Sequence, residues 1–210
     1  PEKRAETYVK GEVKDTEDAL KGARDIIAEQ VSEDEQARNT VRFAFSRQAV
    51  ITAKVVKGKE SEADKYRDYF EFSKPLKKCT SHQLLAIRRA EAEGLLKVSI
   101  SPDDEECVER LERRFVRSNN ACGEQVAEAV QDAYKRLLKS SIETEFAAQS
   151  KEQADEEAIR VFVQNLRQLL LASPLGQKRV MGIDPGFRTG CKVVCLDAQG
   201  NLLHLSLIHI

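Results

Sequence analysis

From Ser140 to Pro174 apolar residues recur at helical spacing without a break, through Ile142, Phe146, Ala154, Ala158, Ile159, Phe162, Val163, Leu166, Leu169 and Leu170. An α-helix rises about 1.5 Å per residue, so this stretch of about 30 residues predicts a rod of roughly 45 Å, longer than a small domain is wide. Such a rod cannot be wrapped into one compact core, and it connects modules instead. Ser140 with Glu143 reads as a capping box at its start, and Pro174 and Gly176 end it. The expected boundary therefore falls at about Ser173 to Gln177, with 140–173 as a long connecting helix.

Upstream, 16–139 reads as a multi-helix region with short strands. Residues 1–15 are charged and weakly periodic, a linker or the tail of a preceding region. Thr16 is expected to cap a helix to about Val31, with Ala19, Leu20, Ala23, Ile26 and Ile27 on one face. Ser32-Glu33-Asp34-Glu35 reads as a capping box for a second helix to about Arg47, with Val41, Ala44 and Phe45 inward. Ala49 to Val56 alternates like a strand and ends at Lys57-Gly58-Lys59, after which Ser61 to Phe70 returns to helix. Thr80 with Gln83 caps the next helix, which turns Leu84, Leu85 and Ile87 inward and Arg88 and Arg89 outward, and stops at Gly94. Leu95 to Ile100 reads as an edge strand. Ser101-Pro102 then reads as a helix start, with Pro at the first helical position, and the helix runs to about Val116. Asn119-Asn120 turns the chain into a helix from Gly123 to Leu138, striped by Val126, Ala127, Val130, Tyr134 and Leu137.

Beyond the rod the pattern changes to strands. Arg179 to Ile183 is short, apolar and β-branched, and it ends at Asp184-Pro185-Gly186, a turn by composition. A second strand, Cys191 to Asp197, leads through Gln199-Gly200-Asn201 into Leu202 to Leu205, the opening of a larger sheet. The chain starts at Pro1 and its last strand runs on without a closing turn, which reads as a fragment. For 205–210, LSLIHI, two readings stand: an ordinary apolar strand, or the translation of a transposon-based sequencing adapter, in which case His209 carries no function.

Thirty-four basic against 35 acidic residues leave a net charge of −1, so no global basic field marks a nucleic-acid binder, and any such surface is local. Five cysteines, Cys79, Cys107, Cys122, Cys191 and Cys195, show neither CxxC pairs nor zinc spacing, which fits a reduced cytoplasm. Cys191 and Cys195 share one strand face and read as small core residues. No apolar run reaches the ~18 residues that span a bilayer, so no membrane is expected.

The stretch ADEEAIRVFVQNLRQLLLASPLGQKRVMGIDPGFRTGCKVV resembles the central signature of the Tex family of bacterial transcription accessory proteins. DALKGARDIIAEQVSED, KGKESEADKYRDYFEFSKPLKKCTSHQLLAIRRAEAEGLLKVSI and DAYKRLLKSSIETE resemble successive parts of that family's helical region. The resemblance covers nearly the whole chain up to Leu203. It implies a multidomain cytoplasmic protein with an N-terminal helical region, an RNase H-like domain of the YqgF/RuvC type, helix-hairpin-helix elements and an RNA-binding OB-fold. On this reading 178–204 begins the RNase H-like domain, incomplete here, so the fold class is mainly α followed by the first β-strands of an α/β domain. Nucleic acid is the implied partner, RNA chiefly through missing C-terminal domains, and transcription machinery is a further one.

RNase H-like nucleases hold a divalent metal with an acid on the first strand, and Asp184 stands in that position. One acid cannot hold the ions that phosphodiester cleavage needs, so Mg²⁺ enters only if a complete, active domain supplies further carboxylates. Otherwise Asp184 is a vestigial or plain turn residue and no cofactor is expected. The same GID-x-G pattern resembles a phosphate loop of the actin-type ATPase fold, but bulky Phe187 and Arg188 stand where small hydroxyl residues are expected, and no GxxxxGK[ST] loop is present. Lys74, Lys77, Lys78, Arg88, Arg89 and Lys97, with His82 among them, form a candidate basic patch around one helix. The competing reading is a solvated helix face diluted by Glu71, Glu91 and Glu93. The three histidines, His82, His204 and His209, suggest no catalytic pairing. The expected function is a non-catalytic, nucleic-acid-binding helical scaffold in transcription, against a metal-dependent nuclease or a pure protein-interaction scaffold.

Overall fold

Two helices that share one capping residue open the first of two units, Pro1–Val161, in a computed structural model that describes residues 1–186 and 190–208. A single turn, α1 (Glu2–Ala5), precedes them. Asp34 ends α2 (Thr16–Glu33) and caps α3 (Glu35–Gln48), its carboxylate accepting the Ala37 N–H at 2.7 Å. Ser32, the expected cap, donates back to the Glu29 carbonyl instead. Asp15 rather than Thr16 caps α2, accepting from Asp18 N–H at 2.8 Å. In both places a carboxylate satisfies a first-turn donor and also favours the positive end of the helix dipole, which a hydroxyl does less strongly. Val41, Ala44 and Phe45 of α3 are buried as expected, whereas on α2 the buried residues are Ala28 and Val31, and Ile26 is 59% exposed. Arg24 explains the rotated face: it lies against the later helix Ala121–Asp132, bonded to Gln125 and paired with Glu128.

A three-stranded antiparallel sheet follows, ordered β2-β1-β3, from β1 (Val50–Val55), β2 (Glu71–Pro75) and β3 (Leu96–Ser101). Ile51 faces Lys74 and Ile100 across the ladder, and Ala53 faces Phe72 and Val98, so these residues share the core face. The expected helix before β2 is a 3₁₀ segment, Asp64–Tyr69, because buried Tyr66 leaves helical geometry to reach Glu93 with its hydroxyl at 3.1 Å. α4 (Ser81–Ala92) carries the reciprocal Thr80/Gln83 box and ends at Gly94, whose φ of +68° favours glycine. α5 (Asp104–Phe115) is capped by Asp103, so Pro102 precedes the cap instead of opening the helix.

Asn120 caps α6 (Ala121–Asp132), which passes through a π turn, Ala133–Leu138, directly into α7 (Lys139–Leu170). The helix does not restart at Ser140, and Glu143 is not its cap. Its carboxylate accepts the Ile100 N–H of edge strand β3 at 2.6 Å, closing an otherwise open ladder position. The π turn also corrects the expected stripe. Val130, Tyr134, Leu138 and Ile142 are buried at spacings of four, and Leu137 is not. Four-residue spacing drifts off the face of a regular helix of about 3.6 residues per turn, and one wider turn restores it.

In the second unit, Phe162–Ile210, β4 (Val180–Asp184), β5 (Cys191–Leu196) and β6 (Leu202–Ile208) form an antiparallel meander. The fold class is thus mainly α, followed by the strands of a partial α/β domain. β6 extends past Leu205 to Ile208. The Asp197 carboxylate organises the β5–β6 turn, accepting from the Gln199 and Asn201 N–H groups at 2.9 and 2.8 Å. The readings placed on Phe187, Arg188 and His209 lie outside the described residues.

Candidate nucleic-acid interface

The structure distributes the basic residues among several settings. Lys74, on the core face of β2, reaches the Gln83 side chain at 3.2 Å and so braces the start of α4. Lys77 and Lys78 follow on an exposed 3₁₀ turn, Leu76–Lys78, just before that helix. The ion pairs on the neighbouring elements, Lys65 with Glu93 and Arg88 with Glu91, leave both lysines unpaired among the described residues. Arg88 is spoken for: its guanidinium holds Glu91 at 2.5 Å and its side chain is only 15% exposed. Arg89 is exposed, near Glu93, whose carboxyl the Lys65 ammonium and then the Tyr66 hydroxyl hold below the usual carboxylate range. Lys97 lies on the outer sheet face, directly across from Lys54. His82 is exposed, with its ring 3.4 Å from the Thr80 hydroxyl.

Beside Lys77 a cleft of about 360 Å³ opens between the end of α3, the 3₁₀ turn, the start of α4 and α7. Buried Phe45 and half-buried Phe146 form its apolar wall, their ring centroids 5.4 Å apart and tilted at 40°. Its edge carries the Gln149 and Gln153 amides, and Glu157, which accepts a hydrogen bond from the Ser81 hydroxyl. Cys79 also lines it, and burial pushes that thiol up, against the opposing pull of Lys74. No sequence signal announces this cleft, since its walls come from three segments far apart in the chain.

A second arrangement escapes sequence reasoning for the same reason. The Asp104 carboxylate accepts from Tyr134 at 2.7 Å, Lys139 at 2.5 Å and Ser101 at 3.0 Å, joining α5 to the π turn, α7 and β3. Burial pushes this carboxyl up, but the three donors, Lys139 foremost, hold it below its ordinary value. Burial first, and then the Asp104 carboxylate, push the Tyr134 phenol well above its ordinary range. With every oxygen of the group engaged, this is a brace between elements.

In the second unit Asp184 ends β4, exposed, opposite Lys192 of β5. Among the described residues no cluster of three or more His, Cys, Asp or Glu side chains is placed to hold a metal. A lone carboxylate does not fit a divalent ion that takes several oxygen ligands, so no chemistry is routed through one here. Among the described residues no helix is long and apolar enough to cross a membrane.

A family model described as "Tex central region-like" matches residues 1–162, and one described as "Tex protein YqgF-like domain" matches 178–210. Among relatives, "Transcriptional accessory protein Tex" of Neisseria gonorrhoeae is 35% identical across 98% of this chain. "Uncharacterized protein YdcI" of Bacillus subtilis is 37% identical across 94% of it. The human "S1 RNA-binding domain-containing protein 1" is 30% identical across 97%. The chain spans about 28% of the length of the two bacterial relatives and 22% of the human one.

Proposed function

This chain belongs to the Tex family, and on that premise we propose that it is a helical scaffold of a transcription accessory protein that contacts nucleic acid without catalysing a reaction. The observation that carries the proposal is the pair of exposed, unpaired lysines, Lys77 and Lys78, at the start of α4, in a chain whose relatives carry the names given above. Ammonium groups carried at a helix start by a 3₁₀ turn can contact phosphates, which fixes position without reading sequence. Lys74 braces the site from behind, and Arg89 extends it. RNA is the favoured ligand, with further contacts from domains outside these residues, and the transcription machinery is the proposed protein partner. Five free thiols agree with a reduced, cytoplasmic setting. A nuclease reading would require carboxylates joining Asp184, and no described residue favours it.

The test is binding of labelled single-stranded RNA and duplex DNA across a salt series, beside Lys77→Glu/Lys78→Glu and Arg89→Glu variants. Arg88→Glu is unsuitable because it would set a carboxylate against Glu91 and test folding instead. Wild-type binding should weaken with salt, and loss of both lysines should lower the log-log slope by roughly 0.7 for each phosphate contact removed on a single strand. Absence of binding by the folded chain would refute the proposal and leave a protein-interaction scaffold.

A further inference from the structure

Resting on the nucleic-acid reading above, we infer that the cleft between α3, α4 and α7 is a pocket for one unstacked nucleobase of a single strand whose phosphates lie on Lys77 and Lys78. Four observations converge on it. Its volume of about 360 Å³ lies within the range of small-molecule sites, and its wall is aromatic, with half-buried Phe146 backed by buried Phe45. Gln149 and Gln153 stand one helical turn apart on the same edge, both exposed. The side-chain hydrogen bonds within α7 over this stretch, Thr144 to Ser140, Ser150 to Ala147 and Lys151 to Asp155, and those from other elements to Glu143, Glu145 and Glu157, leave both amides without partners among the described residues. A primary amide offers two donors and an acceptor, which matches a base edge.

Charge is the third observation. The cleft places Lys77 on its border, and of the neighbouring α7 acids Glu145 is paired with Arg42 at 3.0 Å and Asp155 with Lys151 at 2.5 Å, while Glu152 and Glu156 have no ion pair among the described residues. Glu157, the carboxylate that lines the cleft itself, accepts from the Ser81 hydroxyl, a neutral donor that positions it without pairing it with a cation. The fourth is geometry: the walls of the cleft, on α3, the 3₁₀ turn, α4 and α7, all come from one unit, Pro1–Val161. An aromatic face, free amides and adjacent ammonium groups are the chemistry by which proteins hold a splayed base and its flanking phosphates. A duplex, whose bases stay stacked, cannot use this pocket.

The test uses the whole chain with fluorescein-labelled single-stranded RNA, single-stranded DNA and duplex DNA of equal length. The variants are Phe146→Leu, which keeps an apolar wall but removes the ring, and Gln149→Ala/Gln153→Ala, which changes exposed positions only. Circular dichroism confirms that each is folded. Single strands should bind more tightly than duplex. Phe146→Leu should weaken single-strand binding about 5- to 100-fold, with the salt slope and duplex binding unchanged, and the glutamine variant should also weaken it. RNA bound more tightly than DNA would assign the source of the base to RNA, and equal binding would assign the pocket to either strand. Single-strand binding lost in Lys77→Glu/Lys78→Glu but unaffected by both cleft variants would overturn the pocket while sparing the lysine surface. No binding to any nucleic acid would overturn both.

Discussion

Replacing Gly123 and Gly22 by alanine in separate variants should move stability in opposite directions, although both glycines lie in α-helices and helix propensity alone favours alanine at each. At Gly22, mid-α2 and exposed, an added Cβ meets nothing within 4 Å, so Gly22→Ala should stabilise by about 1 kcal/mol. Gly123 is the third residue of α6, its N–H bonded to the Asn120 cap at 3.1 Å, and the preceding loop folds back over it. There a Cβ would stand 1.8 Å from the Ser118 carbonyl oxygen. Ordinary contact begins at 3.4 Å, so the carbonyl must retreat by about 1.6 Å. A backbone group cannot rotate away as a side-chain tip does, and its retreat pulls on the Asn120 cap. Overpacking of this kind costs about 1–3 kcal/mol and loss of the cap about 1 kcal/mol, against a propensity gain of about 1 kcal/mol. Gly123→Ala should therefore destabilise by about 1–3 kcal/mol. Urea unfolding followed by circular dichroism at 222 nm measures both variants, with equal m-values required for the comparison. A Gly123→Ala chain as stable as wild type would refute the reasoning.

Asp34→Ala should cost about 1–2 kcal/mol, because one carboxylate closes the α2–α3 junction, whereas Ser32→Ala should be nearly neutral; the same unfolding assay separates them, and equal losses would return the capping role to Ser32. Asp104→Asn should destabilise by about 1–3 kcal/mol at neutral pH by weakening the bonds to Lys139 and Tyr134. Its folded carboxyl lies below the unfolded value, so its contribution is fully present above about pH 4 and is lost as pH falls through the folded pKa. The stability difference between wild type and variant should therefore shrink below about pH 4. A difference constant across the acid range would show that the carboxylate charge is not what holds the brace.

Much of the candidate basic patch can be read from the sequence, but not its division of labour. Lys74, Lys77 and Lys78 precede a capping-box helix in the sequence, and the structure places them there. That Lys74 braces Gln83, that Arg88 is clamped to Glu91, and that Lys97 stands on the opposite sheet face are consequences of pairings unseen in one dimension. The cleft is less legible still. Phe146 reads as one more residue of a long apolar stripe until α3 brings Phe45 against it.

Local chemistry determined the helices, the Thr80/Gln83 box, the stop at Gly94, the alternation of β1 and the meander that ends the chain, because capping, turn geometry and periodicity act over a few residues. Tertiary contact decided the rest. Glu143 was free to cap its own helix until strand β3 presented an unpaired N–H. Leu138 displaced Leu137 because a π turn kept one face against the core. Gly123 became obligatory only when the Ser118 carbonyl closed over it. In each case the deciding partner lies on another element or across a loop, and a buried or crowded group leaves its local preference when a distant donor or neighbour offers more than the nearest one.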